Sequence, residues 1–176
     1  MTLEPAATPV APAEPESFVE LYHAAFGEMV RLARVLVDSP QAAEDIVQDA
    51  FVALHRRWDG VREPRPYLHR SVVNGCRSFH RRSGRERSRT VPGPPDLRTD
   101  PDPTVEGSVL EARSDDAGLL EAALGRLPYR QRSALVLRFY VDLPDRAIAE
   151  ILGCRVGTVG SLVHRGLQGL REVVQP

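Results

Sequence analysis

The stretch that decides the fold runs from residue 147 to residue 159 and reads Ala147-Ile148-Ala149-Glu150-Ile151-Leu152-Gly153-Cys154-Arg155-Val156-Gly157-Thr158-Val159. It predicts a short helix, a turn that contains glycine and a second helix, which together form the helix-turn-helix pattern. Gly153 lies where a helix commonly ends in a left-handed residue, and Thr158 is predicted to cap the second helix. We expect the two helices to share a core of Ile148, Ile151, Leu152, Val156, Val159 and Leu162.

The second of these helices is predicted to turn polar side chains outward at its N-terminal end. A helix of this kind fits the major groove of B-DNA, where hydroxyls and arginines reach base edges or phosphates. The candidate DNA-contacting residues are Arg155, Thr158, Ser161, His164 and Arg165. The alternative interpretation of the pattern is a packed set of three helices with no role at DNA.

The net charge of −1 over 176 residues conceals a strong segregation of charge along the chain. Residues 55–89 hold 11 arginines and 3 acidic residues, and residues 126–176 hold 8 and 4. Residues 18–54 hold only 2 arginines and 6 acidic residues, and residues 90–125 hold 2 and 8. Two separate basic segments indicate two contact zones for a polyanion, with the acidic stretches facing something else.

From residue 18 onward, apolar residues recur at spacings of three and four and predict helices. The first helix spans residues 18–36, and Ser39 with Pro40 provides a cap and a first position for the second. The outer face of this second helix carries Glu44, Asp45, Gln48 and Asp49. Carboxylates there suit docking on an arginine-rich helix, but the residues alone favour an ordinary solvated surface.

A third helix is predicted to begin at Tyr67, after a loop over residues 60–66. Its outer positions are rich in arginine, and arginine neutralises phosphates while aromatic faces stack on exposed bases. His69 is also placed on this outer side, and Asn74 and Ser78, four residues apart, share a face that can hydrogen-bond a base. The candidate residues are Arg62, Arg70, Asn74, Arg77, Ser78, Arg81 and Arg82. A solvated charged face, with Trp58 and Phe79 in the core, is the alternative.

Composition divides the chain into four segments. Residues 1–17 are rich in proline, alanine and glutamate and are expected to be a disordered tail. Residues 84–115 contain five prolines and few large apolar residues, so they are expected to be a flexible linker. Residues 18–83 and 116–176 are then two small helical domains, and the fold class is all-α.

Several classes of protein are excluded by what the sequence lacks. No apolar run approaches the roughly 20 residues that span a membrane, and the first residues do not resemble a secretory signal. Cys76 and Cys154 are isolated, which excludes a disulfide scaffold or a CxxC zinc site and suits the cytoplasm. The five histidines are scattered, and no HExxH motif, phosphate loop or nucleophile elbow is present. We therefore expect that the chain is not an enzyme and that it binds no metal or cofactor.

Two sets of motifs resemble the extracytoplasmic-function sigma factors, group 4 of the sigma-70 family of RNA polymerase sigma factors, and their actinobacterial branches most of all. Residues 43–51 resemble the family's core-polymerase-binding segment, and residues 67–82 resemble its −10 element region. Residues 127–132, 147–153 and 157–171 resemble its −35-binding domain. The motifs follow the family's order and spacing over residues 18–82 and 119–173.

The resemblance implies a mechanism for each part of the chain. Residues 18–83, as sigma region 2, would bind the β′ clamp helices of core RNA polymerase through the second helix. The third helix and the loop over residues 60–66 would capture the −10 element and help to melt it. Residues 116–176, as sigma region 4, would recognise the −35 element, while the acidic linker threads toward the RNA exit channel. The implied partners are core polymerase (the β′ clamp helices and the β subunit), promoter DNA and an anti-sigma factor, with no insertion into a membrane.

Four positions depart from the family pattern. Ser78 stands where the family usually has Asp, and Gly160 stands where a basic residue usually follows Gly-Thr-Val. Pro144 and Ala147 replace the usual Ser cap and the usual Glu.

A second class of function is a conventional helix-turn-helix regulator with a sensory N-terminal domain. Such a regulator would bind duplex DNA alone, whereas a sigma factor generally needs the core enzyme.

Overall fold

The computed structural model describes residues 17–90 and 116–174, which form seven α-helices and no strand. These are α1 (Phe18–Leu36), α2 (Pro40–His55), α3 (Pro64–Thr90), α4 (Asp116–Gly125), α5 (Tyr129–Leu135), α6 (Asp145–Leu152) and α7 (Val156–Val174). A 3-10 turn over Trp58–Gly60 lies between α2 and α3, and a π-helical turn over Val136–Tyr140 continues α5. The predicted all-α class is confirmed. The predicted tail, apart from Ser17, and residues 91–115 of the predicted linker lie outside the described residues.

The first helix begins and ends where its sequence predicts, and the second begins at the predicted residue but ends at His55, before the expected end near residues 58–60. Ser17 and Glu20 form a capping box at the start of α1, which satisfies two backbone N–H groups at once. The Ser39 hydroxyl accepts a hydrogen bond from the Ala42 N–H, and Pro40 occupies the first turn of α2, as predicted. The apolar faces of α1 and α2 are buried against each other and against α3.

Helix α3 is longer than the sequence predicts at both ends. It begins at Pro64, not at Tyr67, because prolines are tolerated in the first turn, where the missing N–H has no partner to lose. It ends at Thr90, inside the segment predicted as linker. Arginine and glutamate, which are good helix formers, supply much of this extension.

The helix-turn-helix is present, with two corrections. Gly153 ends α6 in the left-handed conformation (φ 61°, ψ 48°), as predicted. Helix α7 begins at Val156, so Thr158 lies in its first turn and does not cap it; the Thr158 N–H donates to the Arg155 carbonyl at 2.8 Å. Val156 is 51 % exposed and is not part of the shared core; it is the first residue of α7, which begins three residues before the start that a Thr158 cap implies. The other five predicted core residues are buried.

The N-terminal and C-terminal helices pack together. One continuous apolar cluster includes residues of α1, α2 and α3 as well as α5, α6 and α7. At the contact, the Tyr129 hydroxyl of α5 donates a 2.6 Å hydrogen bond to the Val73 carbonyl of α3. Arg132 of α5 lies fully buried beside His80 of α3. The described helices thus form one packed body in this conformation.

Close packing of α2 on α3 depends on Gly75. A Cβ at this position would lie 2.6 Å from Cγ2 of Ile46, so Gly75→Ala is expected to destabilise the fold by about 1–3 kcal/mol in urea unfolding. The steric clash outweighs the gain in helix propensity of up to about 1 kcal/mol. Gly27→Ala in α1 is the matched control, because its nearest neighbour is the flexible Arg31 tip at 3.4 Å, and it should stabilise. A Gly75→Ala protein as stable as wild type would contradict this packing argument.

Candidate nucleic-acid interface

Three arginines of α3, Arg70, Arg81 and Arg82, lie on one exposed face. Residues three and four apart lie on the same side of a helix, and their apolar neighbours Leu68, Val72 and Cys76 are buried on the other side. The exposed set predicted from the sequence is Arg70, Asn74, Ser78, Arg81 and Arg82, and Arg62 is exposed in the loop that precedes α3. Arg77 differs from these because it is only half-exposed, at the contact with α5.

A pocket of about 450 Å³ opens next to this basic face, between the end of α2 and the start of α3. Two half-buried aromatic side chains, Trp58 and Tyr67, line it together with Arg56 and Arg57. These two exposed arginines were not among the residues predicted to contact DNA. Its lining is His55, Arg56, Arg57, Trp58, Asp59, Gly60, Val61 and Tyr67. The pair of adjacent arginines before Trp58 is the sequence signal that could have indicated this pocket. Phe79, in contrast, packs against the core.

The acidic face of α2 is exposed. Glu44 is paired with Arg34 of α1 at 3.2 Å, whereas Asp45 and Asp49 form no ion pair within residues 17–90 and 116–174. Gln48 lies on the same face and also lines an apolar groove of about 460 Å³. The groove is completed by Phe18, Tyr22, Phe51, Val52, His55 and Arg56. Sequence reasoning missed it; the available signal was Val52, an apolar residue on the outer side of α2 that is 49 % exposed.

The N-terminal half of α7 presents its predicted residues to solvent. Arg155, Ser161, His164 and Arg165 are exposed, and Thr158 is half-buried. The Arg165 Nε donates to the Ser161 carbonyl one turn earlier, at 3.2 Å. Gly157 and Gly160 leave open space around the same surface. The helix can therefore approach another surface closely, with arginine and hydroxyl groups at its positively polarised end.

His69, expected to lie on the outer face of α3, is buried and 5 % exposed. Its Nε2 lies 3.3 Å from Oε1 of Glu28, whose other oxygen accepts from Arg65 at 3.0 Å. Burial lowers the pKa of His69, and the nearby Arg65 charge lowers it further, although Glu28 opposes both effects. The contacts of Arg65 and His69 with Glu28 of α1 hold this side of α3 inward, and the helical pattern of α3 alone does not show such contacts.

The lowered pKa of His69 predicts a loss of stability in acid. The unfolded chain binds the proton near the ordinary value of 6.5, and the folded protein binds it only at lower pH. The free energy of unfolding is therefore expected to be greatest above pH 6.5 and to decrease as the pH falls toward the lowered pKa. Urea unfolding between pH 8 and pH 5 measures how the free energy of unfolding changes with pH, and His69→Gln should reduce this change. His23→Gln, at an exposed histidine, is the control; an equal effect of both variants would contradict the assignment.

Comparison with known proteins identifies the family to which this chain belongs. The family described as Sigma-70 region 2 matches residues 21–86, and Sigma-70, region 4 matches residues 117–170. The RNA polymerase sigma-E factor of Streptomyces avermitilis is 35 % identical over 150 residues, which cover 84 % of this chain and 79 % of the relative. The ECF RNA polymerase sigma factor SigM of Mycobacterium tuberculosis is 32 % identical over 166 residues, covering 90 % and 77 %.

The chain belongs to the sigma-70 family. Within it, the chain is an extracytoplasmic-function sigma factor, which confirms the resemblance, and such a protein directs promoter-specific transcription initiation by RNA polymerase.

A solved structure of a sigma factor RpoE, in complex with the anti-sigma factor NepR from Bartonella quintana, has the same fold. Its TM-score to this chain is 0.68 at 24 % identity, over 90 % of this chain and 96 % of that one. No helix within residues 17–90 and 116–174 of this sigma factor is long and apolar enough to cross a membrane.

Proposed function

We propose that this sigma factor contacts core polymerase through α2, the −10 element through α3 and the −35 element through α7. Residues 18–83 then act as region 2 and residues 116–176 as region 4, with residues 84–115 as the linker. The observation that carries the proposal is that each of these three helices buries its apolar side and exposes a polar side, which is acidic on α2 and basic on α3 and α7.

The exposed face of α3 suits a single DNA strand. Arg70, Arg81 and Arg82 offer charge to successive phosphates, and Asn74 and Ser78 offer hydrogen bonds to a base. Trp58 and Tyr67 in the neighbouring pocket supply aromatic surface on which an unstacked base can rest. Capture of unpaired bases lowers the free energy of the melted state, and this is how α3 would favour promoter opening.

The acidic face of α2 suits a basic protein partner. Asp45 and Asp49 are one turn apart and solvated, so they can pair with arginines or lysines of a helix laid across them. The apolar groove beside Gln48 offers a place for an aliphatic side chain of the same partner. The β′ clamp helices are the partner that the family implies for this face.

The exposed end of α7 suits duplex DNA. Arg155 and Arg165 reach phosphates or guanine edges when the helix enters the major groove, and Thr158, Ser161 and His164 lie on the same surface. The −35 element is the duplex segment that the family implies for this helix. Family membership suggests two further partners, the β subunit of core polymerase and an anti-sigma factor. It also suggests that the protein acts in the cytoplasm.

Transcription with purified components tests the proposal. The chain, mixed with core polymerase and a genomic library, is expected to yield promoter-specific transcripts whose start sites share −10 and −35 elements. The chain alone should bind those promoters weakly. A conventional regulator predicts the opposite, namely tight binding to duplex DNA without polymerase and no new transcripts on its addition.

A further inference from the structure

One carboxylate of α1 contacts the first two turns of α3. Oε2 of Glu28 accepts a hydrogen bond from Nη1 of Arg65 at 3.0 Å, and Oε1 lies 3.3 Å from Nε2 of His69. Arg65 and His69 are four residues apart and share the side of α3 that faces α1. The side chains of Glu28 and Arg65 are 30 % and 34 % exposed, so solvent screens their attraction less than it screens that of a fully exposed ion pair.

The ring of His69 depends on Glu28 for its polar contact. A carboxylate only accepts hydrogen bonds, so Nε2 of His69 carries a proton and donates it to Glu28. Nδ1 is buried and has no hydrogen-bond partner within residues 17–90 and 116–174. Without Glu28, Nε2 would also lose its partner in a buried place, which is costly. The carboxylate therefore fixes where the second turn of α3 rests on α1.

The first turn of α3 has few backbone hydrogen bonds of its own. Pro64 and Pro66 have no N–H group to donate. The Tyr67 N–H donates to the Glu63 carbonyl at 3.2 Å, which is at the long end of the usual range. The hydrogen bond from Arg65 to α1 thus supplements a turn whose own backbone bonds are sparse.

This turn also carries one side of the pocket next to the basic face. Tyr67 lines the pocket from α3, and Trp58 lines it from the 3-10 turn that follows α2. Because the two aromatic side chains belong to different elements, the gap between them depends on where the first turn of α3 is held. A base that stacks on an aromatic side chain needs a gap of suitable width. The position of this turn therefore affects how well a base is captured.

We propose that Glu28 is a positioning residue for capture of the −10 element: through Arg65 and His69 it fixes the first turn of α3, and thereby the gap between Trp58 and Tyr67. Glu28 acts on this pocket without touching DNA. The same ion pair explains the role of Arg65, whose charge holds α3 on α1 instead of binding a phosphate. The inference rests on the proposed function, because it requires the pocket to receive a base.

The test compares two variants that each replace a paired glutamate by glutamine. Glu28→Gln weakens the pair with Arg65, and Glu150→Gln weakens an exposed pair with Arg146 in α6. The measurement is the concentration of sigma factor that gives half-maximal binding, with core polymerase, to a promoter whose −10 element is held open by mismatches. Glu28→Gln should raise this concentration about tenfold, as the loss of one hydrogen bond between charged groups does. Glu150→Gln should match wild type.

A second substitution separates positioning from a general loss of stability. In a Tyr67→Ala protein the pocket has already lost one side, so adding Glu28→Gln should change the half-maximal concentration by less than about twofold. His69→Gln keeps a donor for Glu28 and should bind the open promoter better than His69→Leu. The positioning role is wrong if Glu28→Gln alone binds as wild type does, or if its effect is equally large with and without Tyr67.

Trp58, the single tryptophan of the chain, reports on the pocket in the absence of DNA. A shift of Tyr67 in the Glu28→Gln protein should change the quenching of Trp58 fluorescence by acrylamide, whereas Glu150→Gln should leave the quenching unchanged. Equal quenching in wild-type and Glu28→Gln proteins would overturn the inference. If wild-type protein forms no promoter complex at all, the proposed function fails instead, and the quenching result alone then decides whether Glu28 positions the pocket.

Discussion

Replacing Arg81 and Arg82 together by alanine is expected to weaken promoter opening by about 100-fold while binding to core polymerase stays nearly unchanged. Both side chains are exposed at the C-terminal part of the basic face of α3, and neither forms an ion pair within the described residues. A hydrogen bond to a charged phosphate contributes at least about 1.5 kcal/mol, so the loss of two such bonds costs about 3 kcal/mol, which corresponds to the stated factor. The acidic face of α2 is untouched.

Measurements of open-complex formation and of affinity for core polymerase check this prediction. Arg81→Lys with Arg82→Lys is the matched control, because it keeps both charges and should retain most of the activity. The salt dependence of promoter binding supplies an independent readout. The slope of the logarithm of the binding constant against the logarithm of the salt concentration should become shallower by about 1.4 when two contacts to a single strand are lost. An unchanged slope would show that these arginines do not contact phosphate.

The reciprocal variant is Asp49→Ala. Asp49 is solvated and has no ion pair within residues 17–90 and 116–174, so its removal should not disturb the fold. It is expected to weaken binding to core polymerase about tenfold, as the loss of a charged interfacial contact of about 1.4 kcal/mol does. Addition of enough core polymerase should restore promoter opening. If Asp49→Ala instead reduces promoter opening at saturating core polymerase, the assignment of polymerase binding to α2 and of promoter opening to α3 is wrong.

Replacing Gly160 by arginine is expected to strengthen recognition of the −35 element about tenfold. Gly160 is exposed in the first half of α7, and a Cβ built there meets no atom within 4 Å. The new guanidinium adds a phosphate contact at a position where the family usually has a basic residue. An arginine also improves helix propensity over glycine by up to about 1 kcal/mol.

Gly160→Ala separates the two effects. It shares the gain in helix propensity but adds no charge, so it should raise the thermal midpoint without changing affinity for −35 duplex in the complex with core polymerase. Gly166→Ala, in the same helix, should be destabilising, because its Cβ would lie 2.8 Å from Cδ1 of Leu135. If Gly160→Arg tightens binding no more than Gly160→Ala does, this position does not face the DNA backbone.

Local rules made much of the fold predictable. The Ser39 cap, Pro40 in the first turn and the left-handed Gly153 are each governed by a few adjacent residues, and all three were predicted correctly. Thr158 was predicted to cap α7, but the helix begins at Val156, three residues before the start that this cap implies. Val156 was therefore predicted in the turn, whereas it is the first residue of α7 and is 51 % exposed.

The buried polar residues could not be predicted, because their partners are distant in sequence. His69 is drawn inward by Glu28, and Arg132 is held by Asp38. A helical pattern assigns charged side chains to the surface by default, and only the packing of other helices reverses that assignment. The exposed faces of α2, α3 and α7 follow from periodicity and, apart from His69, Arg77 and Thr158, lie where the sequence places them. The roles of their residues stay predictions.

The two cysteines differ in a way that makes the natural chain ready for site-specific labelling. Burial raises the pKa of the Cys76 thiol to about 12, so almost none of it is thiolate at neutral pH. Cys154 lies half-exposed in the turn between α6 and α7. A maleimide dye should therefore attach at one position, directly before α7, and under the proposed function its fluorescence would report the binding of promoter DNA without any engineered residue.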